Sequence, residues 1–525
     1  MSWAPSENAR GAAAAALLAG AAALLALLPA ASVAAPKRSE RPNVIVVVTD
    51  DQPLAAYGAE YMPRTFRLFV DKGTDFTQAV VTTPLCCPSR AGLATGQYGH
   101  NNGVLRNQYN NLKRKRNTLP GWLRRSGYLT MHVGRFFNGW GLGKRRSEVA
   151  PGWDIWRTAI APRRYYDYTL RFNNRFRDYG LEDRDYLTTN LNRIAAKLVR
   201  RKAPRRKPFY LQIDQFAPHD GRGARGERCE GTVAPGPEDE AAFADEPLYP
   251  SPAYNEDDIS DKPDFFQSGA GPVSAEQADQ IQRTWGCQLA SLKEVDRGMA
   301  DLYRELRATK ALRDTVVIFT SDNGYIFGEH RIVLDKHYPY EEAVRVPLAI
   351  RLPKGMAPGG QPSTSDAPVA NIDLTQTILR LADATPCKSG GCRTLDGRSL
   401  LGEARGGTRG RIPRNRGIGI EYDSGAKPIK GLVCAYQAMR TRNWLYVEHS
   451  RARFSLQEGC EQPVSAAEHY YLEADPHQLE NLYPADGGTP RAGVQAKLSA
   501  RTRDLAVCSG IEGRDPLPPS GRWCE

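Results

Sequence analysis

Apolar residues in this chain occur in short uninterrupted runs, and several of these runs end in a polar cluster. The run Val44–Val48 is followed by two adjacent carboxylates, Asp50 and Asp51, and residues 207–220 and 315–336 repeat the design. Strands that are apolar on both faces are typical of a parallel sheet covered by helices. Because ligands of such sheets collect at the carboxyl ends of the strands, the polar clusters are candidate site residues.

Segments with the spacing of helices alternate with these strands. Residues 186–201 and 274–309 predict helices that pack on the sheet, and residues 63–73 predict another helix before a short strand. Residues 221–275 are rich in glycine, proline and acidic residues, which predicts a long irregular insertion that lines the substrate cleft. From residue 412 onward the pattern favours antiparallel strands.

These elements predict an α/β protein with two domains. A chain of 525 residues exceeds the ~250–300 residues at which single hydrophobic cores stop growing. We expect a catalytic domain over residues 36–411, with a large mixed, mostly parallel sheet flanked by helices. A small C-terminal α+β domain with an antiparallel sheet is expected over residues 412–525.

Residues 1–35 differ in composition from the rest of the chain. After Arg10, the 20 residues Gly11–Ala30 are all apolar, and residues 32–34 offer small side chains to a signal peptidase. We interpret residues 1–35 as a secretory signal peptide, which predicts a secreted protein without stable membrane insertion. The competing interpretation is an uncleaved anchor, since an apolar stretch of this length can just span a bilayer.

The formal net charge of +12 raises the question of a polyanionic partner. The basic residues form short separate clusters, at Lys113–Arg116, Lys144–Arg146 and Arg200–Lys207, without a recognition helix or an aromatic platform around them. We therefore predict no nucleic-acid partner and interpret the charge mainly as a solvated, arginine-rich surface. A sulfated polysaccharide would still be attracted to such a surface.

Cysteine usage agrees with export. Apart from the adjacent Cys86 and Cys87, the chain has eight cysteines, and an even number in a secreted protein predicts four disulfides. Eight cysteines allow 105 connectivities, and pairing in sequence order is our expectation. Zinc binding is the alternative, but no pair has the CxxC spacing and none is followed by a suitable histidine. The eight are Cys229, Cys287, Cys387, Cys392, Cys434, Cys460, Cys508 and Cys524.

The strongest motif is TTPLCCPSRAGLATG, Thr82–Gly96. Its core resembles the signature Cys-x-Pro-Ser-Arg, with which type I sulfatases mark the cysteine that is oxidised to formylglycine. The resemblance implies that Cys86 is modified by the formylglycine-generating enzyme and that Arg90 later holds the hydrated aldehyde and nearby anions. Such a hydrate offers one hydroxyl to attack sulfur and a second to expel the sulfate. The sequence after Arg90 predicts a helix start, where partial positive charge favours an anion.

A second segment, GYLTMHVGRFFNGWG, covers Gly127–Gly141 and resembles the second sulfatase signature. In the family pattern a Gly-Lys pair follows the strand, whereas here Gly134 is followed by Arg135. Arginine keeps the charge but cannot readily release a proton, so we expect Arg135 to clamp the sulfate and not to act as an acid. Asn138 stands where the glucosamine-6-sulfatase branch has an asparagine, and a simple turn residue is the alternative.

Two later segments also resemble the family. Ala217-Pro218-His219 is similar to the active-site histidine segment, and a histidine there is expected to protonate the leaving alkoxide. Lys336 matches the lysine that binds the sulfate. The pair Asp322 and Asn323 follows a strand as the second pair of metal ligands does, and Asp322 is placed to accept a proton from the attacking hydroxyl.

Together these residues imply a metal site. The resemblance assigns Asp50, Asp51, Asp322 and Asn323 as ligands, together with the formylglycine oxygens at Cys86. An all-oxygen set of this kind suits Ca²⁺, with Mg²⁺ as the other choice.

The resemblance extends in the family's order through most of residues 42–400 and implies an alkaline-phosphatase-like fold. It implies a secreted enzyme that hydrolyses sulfate esters, either of a sulfated sugar such as N-acetylglucosamine 6-sulfate or of aryl sulfates. One alternative is a phosphomonoester or phosphonate hydrolase of the same superfamily, although alkaline-phosphatase-like enzymes usually carry a serine or threonine nucleophile and zinc ligands. The other is a non-catalytic relative that binds sulfated glycans, although such a module has no need for an oxidisable cysteine in a metal cage.

Overall fold

A computed structural model describes most of the chain beyond residue 40. The described residues are 1, 41–140, 148–160, 164–204, 207–221, 228–357, 359–388, 391–407, 409–425, 431–455, 459–460, 462–484 and 490–525. The predicted signal peptide over residues 1–35 therefore lies outside the described residues, apart from Met1. Glu40–Glu525 form one compact unit, and the predicted domain boundary after residue 411 stays a prediction.

The strands of the described chain are mostly short and buried. In chain order they are β1 (Asn43–Thr49), β2 (Thr74–Phe76), β3 (Ala79–Val80), β4 (Leu129–Gly134), β5 (Ile155–Ala159), β6 (Tyr168–Phe172), β7 (Arg175–Tyr179), β8 (Phe209–Asp214), β9 (Thr315–Ser321), β10 (Leu348–Arg351), β11 (Thr364–Ser365), β12 (Val369–Ala370), β13 (Cys387–Lys388), β14 (Gly391–Cys392), β15 (Ile418–Asp423), β16 (Val433–Arg440), β17 (Trp444–Ala452) and β18 (Pro463–Tyr471).

Six longer helices pack on these strands. They are α1 (Cys86–Thr95), α2 (Leu119–Arg125), α3 (Leu187–Lys202), α4 (Ala275–Ala308), α5 (Asp373–Ala382) and α6 (Pro490–Leu505). Shorter helical turns cover Leu54–Ala56, Pro63–Thr65, Phe66–Val70, Gly99–Asn102, Tyr109–Asn111, Asp183–Asp185, Pro237–Asp239, Asp264–Gly269, Leu312–Asp314, Glu341–Val344, Lys354–Met356 and Leu401–Ala404.

The central sheet has ten strands in the order β11-β2-β10-β9-β1-β8-β4-β5-β6-β7. Its five middle strands, from β9 to β5, run parallel to one another, whereas β10, β6 and β7 pair in the antiparallel sense. The prediction of a large mixed, mostly parallel sheet is confirmed.

Alternate residues of the central strands feed two separate cores. Ile45 and Val47 of β1 pack with residues of α3 and α4 on one face of the sheet. Val44, Val46 and Val48 pack with residues of α1, α2 and α5 on the opposite face. Because successive side chains of a strand point to opposite faces, a strand buried on both sides must be apolar throughout. This explains the uninterrupted run of valine and isoleucine that the sequence shows.

Helix α4 matches the sequence expectation closely, because its capping is encoded locally. Ser274 accepts a hydrogen bond from the backbone N–H of Gln277, and the Gln277 side chain accepts one from the N–H of Ser274.

The predicted helix over residues 63–73 is wrong in extent. It consists of an α-helical turn at Pro63–Thr65 and a π-helical turn at Phe66–Val70. The chain then turns at Gly73, where an added Cβ would lie 2.7 Å from the carbonyl oxygen of Ile350.

The C-terminal part contains the predicted antiparallel sheet, in the order β15-β16-β17-β18. Helix α6 covers β16 and β17, and the strand pattern gave no sign of this helix.

The four disulfides pair in sequence order, as expected, and join Cys229 to Cys287, Cys387 to Cys392, Cys434 to Cys460 and Cys508 to Cys524. Among the described residues, no helix is long and apolar enough to cross a membrane.

Candidate active site

The site lies where the middle strands of the sheet end. Strands β8, β1 and β9 are neighbours and are in register, with Val48 beside Asp214 and Thr49 beside Ser321. The residues that follow β1 and β9 therefore meet at the same edge of the sheet. Each strand is apolar up to its last turn, so the polar groups emerge together at one end.

Cys86 is the first residue of α1, and it is buried at this edge. Its Sγ lies 3.6 Å from Oδ1 of Asp50 and 4.0 Å from Oδ1 of Asp51. The Nζ of Lys336 lies 3.3 Å from the same sulfur. The position at a helix N-terminus adds partial positive charge from the helix dipole. The sulfur therefore lies between one cation and two carboxylates, at the start of a helix.

The neighbouring Cys87 has a different environment. Its Sγ accepts a hydrogen bond from the backbone N–H of Asn138 at 3.0 Å. Burial raises the pKa of the Cys87 thiol far above its usual value, and the adjacent Cys86 adds to the shift. Cys87 is therefore a protonated packing residue and not a second nucleophile.

Arg90 sits one turn after Cys86 and binds three carboxylates. Its Nε lies 2.8 Å from Asp322, its Nη2 lies 3.1 Å from Asp50, and its Nη1 lies 3.0 Å from Asp214. All four side chains are buried. Although burial disfavours the cation, the three carboxylates raise the pKa of Arg90 well above its usual value. Arg90 thus holds the ends of β1, β8 and β9 together as a permanent cation.

The sequence interpretation missed Asp214 and its partner His132. His132 lies in β4, and its Nε2 is 2.8 Å from Oδ2 of Asp214, while its Nδ1 is 2.7 Å from the hydroxyl of Thr158. Asp214 ends β8 just as a carboxylate follows β1. The pattern of an apolar strand with a polar end could therefore have identified Asp214 as a candidate site residue.

Arg135 reaches into the site because of the glycine before it. Gly134 has a φ of +112°, and a Cβ there would lie 1.9 Å from the carbonyl oxygen of Asp214. The close approach lets the N–H of Arg135 donate to that oxygen at 2.8 Å. The Arg135 guanidinium then lies 2.5 Å from Oδ2 of Asp50 and 5.4 Å from the ring centre of Phe216. Only glycine allows this turn without strain.

Asn138 contributes to the site through other residues. Its Oδ1 accepts a hydrogen bond from Nη2 of Arg135 at 3.2 Å, and its backbone contacts Cys87. It therefore orients the arginine and stands behind the cysteine pair. The structure gives it contacts beyond those of a simple turn residue.

Lys336 and His219 bind the two oxygens of Asp51. The Nζ of Lys336 donates to Oδ1, and Nε2 of His219 lies 3.6 Å from Oδ2. The other ring nitrogen of His219 lies 2.7 Å from Asp220, whose carboxylate is largely exposed. Although burial disfavours the imidazolium, Asp51 raises the pKa of His219 well above its usual value. Burial favours the neutral form of Asp51, but the nearby cations of Lys336 and His219 outweigh it and lower the pKa of Asp51.

The remaining two predicted ligands, Asp322 and Asn323, follow β9. Oδ1 of Asp322 accepts from the backbone N–H of Asp51 at 3.2 Å, and the side-chain amide of Asn323 donates to Oδ1 of Asp51 at 2.7 Å. All of the predicted site residues are thus brought to one edge of the sheet.

The donor set fits a divalent cation. Ligand atoms of Asp50, Asp51, Cys86 and His219 all lie within 4.8 Å of one another. Oδ1 of Asn323 is buried and accepts no hydrogen bond from any described residue, so it is available to a cation. Burial and the negative charge of Asp50 raise the pKa of Asp322 to about 7. Clustered carboxylates with a free amide oxygen match the ligands that Ca²⁺ and Mg²⁺ prefer.

Comparison with known proteins gives a consistent result. A family model described as Sulfatase matches residues 42–384. The chain is 31% identical over 373 residues to a putative extracellular sulfatase Sulf-1 homolog of Caenorhabditis elegans, a match that covers 68% of this chain and 48% of that protein. It is 29% identical over 507 residues to the N-acetylglucosamine-6-sulfatase of Homo sapiens, which covers 91% and 87% of the two chains. The chain thus spans about half the length of the extracellular sulfatase relative.

Solved structures share the fold. A structure described as a complex with its substrate D-glucosamine-2-N,6-O-disulfate superposes with a TM-score of 0.70 at 21% identity, covering 89% of this chain and 97% of the other. The phosphonate monoester hydrolase of Agrobacterium radiobacter superposes with a TM-score of 0.65 at 19% identity, covering 92% and 99%.

Proposed function

This chain belongs to the sulfatase family, and from that premise we propose that it is a secreted enzyme that hydrolyses sulfate esters. The proposal depends on one observation above all. Cys86, at the start of α1, is buried beside three cations, one of which contacts its sulfur, and beside carboxylates suited to a metal. Such a constellation can bind an anionic group and stabilise charge that develops on it during the reaction.

Cys86 is the residue that we propose is converted to formylglycine by the formylglycine-generating enzyme. Its Sγ marks the position where oxygens of the modified side chain would begin. One hydroxyl of the hydrated aldehyde would attack sulfur and displace the alcohol. The second hydroxyl would then lose its proton, so that the aldehyde re-forms and the sulfate is expelled. Replacing the sulfur by oxygens also completes an all-oxygen set of metal ligands at this edge.

The cations of the site have distinct tasks. Arg90 is held by three carboxylates and keeps the nucleophilic position fixed with respect to the strand ends. Arg135 and Lys336 are proposed to bind sulfate oxygens, since each reaches the site from outside α1. Asn138 orients Arg135 through its amide oxygen. Cations gathered in this way stabilise negative charge as it builds up on the sulfate.

Proton transfer is assigned to His219 and Asp322. His219 lies on the open side of the site, with its side chain 20% exposed, where a leaving alkoxide would depart. We assign it as the general acid. Asp322 lies beside Asp51 and Arg90 on the inner side, and we assign it as the acceptor of the proton from the attacking hydroxyl.

Asp50, Asp51, Asp322 and Asn323 would hold Ca²⁺, or Mg²⁺ as the second choice. When bound at these residues, the ion would supply positive charge beside the nucleophilic position and the sulfate group. The free Oδ1 of Asn323 and the crowding of buried carboxylates support this assignment.

A sulfated sugar is the proposed substrate, with N-acetylglucosamine 6-sulfate as the first candidate. Support comes from the relative named N-acetylglucosamine-6-sulfatase, which matches nearly the whole of this chain. Secretion is supported by the four disulfides, which form and persist outside the cytosol.

Turnover by the purified, modified protein tests the function. N-acetylglucosamine 6-sulfate and an aryl sulfate are expected to be hydrolysed at rates well above those for an aryl phosphate and a phosphonate monoester. A phosphoryl substrate that is turned over faster than either sulfate would identify the protein as a phosphoryl or phosphonate hydrolase. Failure to turn over all four, with formylglycine present at residue 86, would favour a non-catalytic glycan-binding protein.

A further inference from the structure

Away from the catalytic edge, the surface holds a large arginine-lined cavity. Its volume is about 1030 Å³, and it lies between the outer side of α5, the turn after Leu401–Ala404 and residues 511–514. It shares no lining residue with the candidate active site. The arginines that line it are Arg380, Arg398, Arg405, Arg409, Arg411 and Arg514.

Most of this positive charge is uncompensated. Within the described part of the chain, Arg398 pairs with Glu525 and Arg514 pairs with Asp515, whereas the other four arginines form no ion pair. Those four are exposed. Glu512 is the one carboxylate among the described lining residues. Unpaired guanidinium groups gathered in a concave surface repel one another, so binding of an anionic ligand would reduce this electrostatic repulsion.

Hydrogen bonds anchor one wall of the cavity to the protein core. Asp373 begins α5, is fully buried, and binds Arg416 through both carboxylate oxygens at 2.6 and 2.9 Å. The same carboxylate accepts the backbone N–H of Arg398 at 2.7 Å. On its inner side, α5 is held to α1 by a hydrogen bond from Thr375 to the carbonyl oxygen of Leu93 at 2.5 Å. Arg380, on α5, and Arg398 are therefore attached to segments that hydrogen bonds hold in place, which lowers the entropy cost of binding at this wall.

Two further basic clefts lie on the same helical layer. They have volumes of about 430 and 580 Å³, and both are lined by Arg116 and Lys388. Neither has a carboxylate among its described lining residues. The second cleft includes Arg124 and Arg125 of α2, and α2 packs with α5 on one face of the sheet.

We propose that this arginine-lined cavity is a second binding site for an extended sulfated polysaccharide, separate from the catalytic edge. The inference rests on the proposed function for the class of ligand. The cavity and the two basic clefts lie apart from one another on the same helical layer. This arrangement matches a chain with sulfates repeated along its length better than it matches one small anion. Planar guanidinium groups suit sulfate, because they donate two parallel hydrogen bonds to its oxygens. The described linings contain no aromatic side chain, so the bases of a single-stranded nucleic acid would find no stacking surface.

A site of this kind would keep a long substrate on the enzyme between catalytic events. A chain held at the cavity raises the local concentration of its other sulfates at the catalytic edge, and a monosaccharide substrate gains nothing from it. The effect would therefore appear in KM for long substrates and not in kcat for short ones.

The experiment compares two variants with the same change in net charge. The first replaces Arg380, Arg405, Arg409 and Arg411 with glutamine. The matched control replaces four exposed arginines elsewhere with glutamine, namely Arg67, Arg175, Arg184 and Arg193. Binding of size-defined heparin fragments, of their desulfated counterparts and of single-stranded DNA is measured at several salt concentrations, with the full-length protein. Turnover of a small aryl sulfate is measured in parallel.

The cavity variant is expected to bind heparin fragments about tenfold or more weakly, with a smaller dependence on salt, and the control is expected to bind them nearly as the parent does. Desulfated fragments should not bind, and aryl sulfate turnover should be unchanged in both variants. An equal loss in the two variants, or DNA binding that is as tight as heparin binding and lost with it, would overturn the proposal. If the fourfold variant does not fold, Arg405→Gln/Arg409→Gln, on the exposed turn, gives the same comparison against Arg184→Gln/Arg193→Gln.

The parallel assay separates the two claims. Loss of heparin binding in the cavity variant, in a protein that hydrolyses no sulfate ester, would support the second site while contradicting the proposed function. Normal turnover of sulfate esters, with heparin binding that does not depend on the cavity arginines, would support the proposed function and contradict the second site.

Discussion

The Nζ of Lys336 lies 3.3 Å from Sγ of Cys86, although 250 positions separate the two residues in the chain. Lys336 follows β9, and Cys86 begins α1, so the contact joins a loop at the sheet edge to a helix on one face. Lys336 also donates to Asp51. A cation, a carboxylate and the modifiable cysteine therefore form one buried unit, and this unit is the starting point for the predictions below.

Modification of Cys86 is the first prediction. Peptide mass spectrometry of the active protein should show residue 86 as an aldehyde or its hydrate in place of a thiol. Cys86→Ala should abolish turnover and leave the melting temperature nearly unchanged, because the side chain contributes chemistry and little packing. Cys87→Ser is the control and should keep most of the activity, since the thiol of Cys87 is not used. Active protein that contains only unmodified cysteine at residue 86 would contradict the mechanism.

Metal binding is the second prediction, and it has a readout that does not depend on activity. Ca²⁺ added to chelated protein should raise the melting temperature, with a stabilisation of about 2.7 kcal/mol at a concentration one hundred times the Kd. Asp51→Asn should lose this shift, whereas Asp71→Asn, at an exposed position, should keep it. Activity should return with Ca²⁺ or Mg²⁺ better than with Zn²⁺. A larger thermal shift with Zn²⁺ would mean that the oxygen ligand set is wrong.

The third prediction concerns Arg135, where the chain departs from its family. Arg135→Ala should lower kcat/KM by roughly 10²–10³-fold, the range for removal of one preorganised group that stabilises charge. Arg135→Lys should keep substantial activity, because a cation still faces the sulfate. A neutral effect of Arg135→Ala would assign the clamp to Lys336 instead.

The fourth prediction separates the general acid from the sulfate clamp. His219→Ala should slow hydrolysis of a sulfated sugar much more than hydrolysis of an activated aryl sulfate. Only the alkoxide of the sugar needs a proton as the bond breaks. Kinetics of the two substrates with the same variant give the comparison, and Arg135→Ala serves as the reference, since it should affect both alike. Equal losses for the two substrates in His219→Ala would rule out the role of acid.

The fifth prediction concerns pH and stability at His100, outside the active site. Both ring nitrogens of His100 face acceptors, with Glu421 at 2.9 Å from Nδ1 and the carbonyl oxygen of Cys508 at 3.0 Å from Nε2. Burial disfavours the charged imidazole, but the carboxylate of Glu421 outweighs this effect and raises the pKa of His100 from 6.5 to about 9. Because the folded pKa is the higher one, the stabilisation is complete below pH 6.5 and is lost as pH rises towards 9.

Denaturation of the parent and of His100→Gln across this range measures the effect. The difference in unfolding free energy should be largest below pH 6.5, at most about 3 kcal/mol, and should shrink as the pH rises from 6.5 to about 9. The control is His477→Gln, which removes a half-exposed imidazole that makes no ion pair with any described residue, and it gives the baseline for the comparison. A difference for His100→Gln that is constant from pH 6 to pH 10 would show that folding does not raise the pKa of His100.

Several features of the protein were determined by the sequence alone because they are local. The run of apolar residues in β1 must be buried on both faces, and the capping residues of α4 fix the start of that helix within the segment itself. Cys86 and Arg90 fall within one helical turn, so their motif is complete in five residues. For the same reason the Gly134-Arg135 pair could be recognised within its own segment.

Other features were decided only by the tertiary structure, because they depend on contacts between distant segments. Arg90 binds Asp214, which the sequence interpretation passed over, since nothing in its own segment indicates that β8 lies beside β1. The arginines of the cavity are spread from residue 380 to residue 514, and only the packing of α5 against the loops around it collects them. Sequence spacing carries information about groups on one element. Which elements become neighbours is set by how the whole sheet and its two helical layers bury their apolar faces.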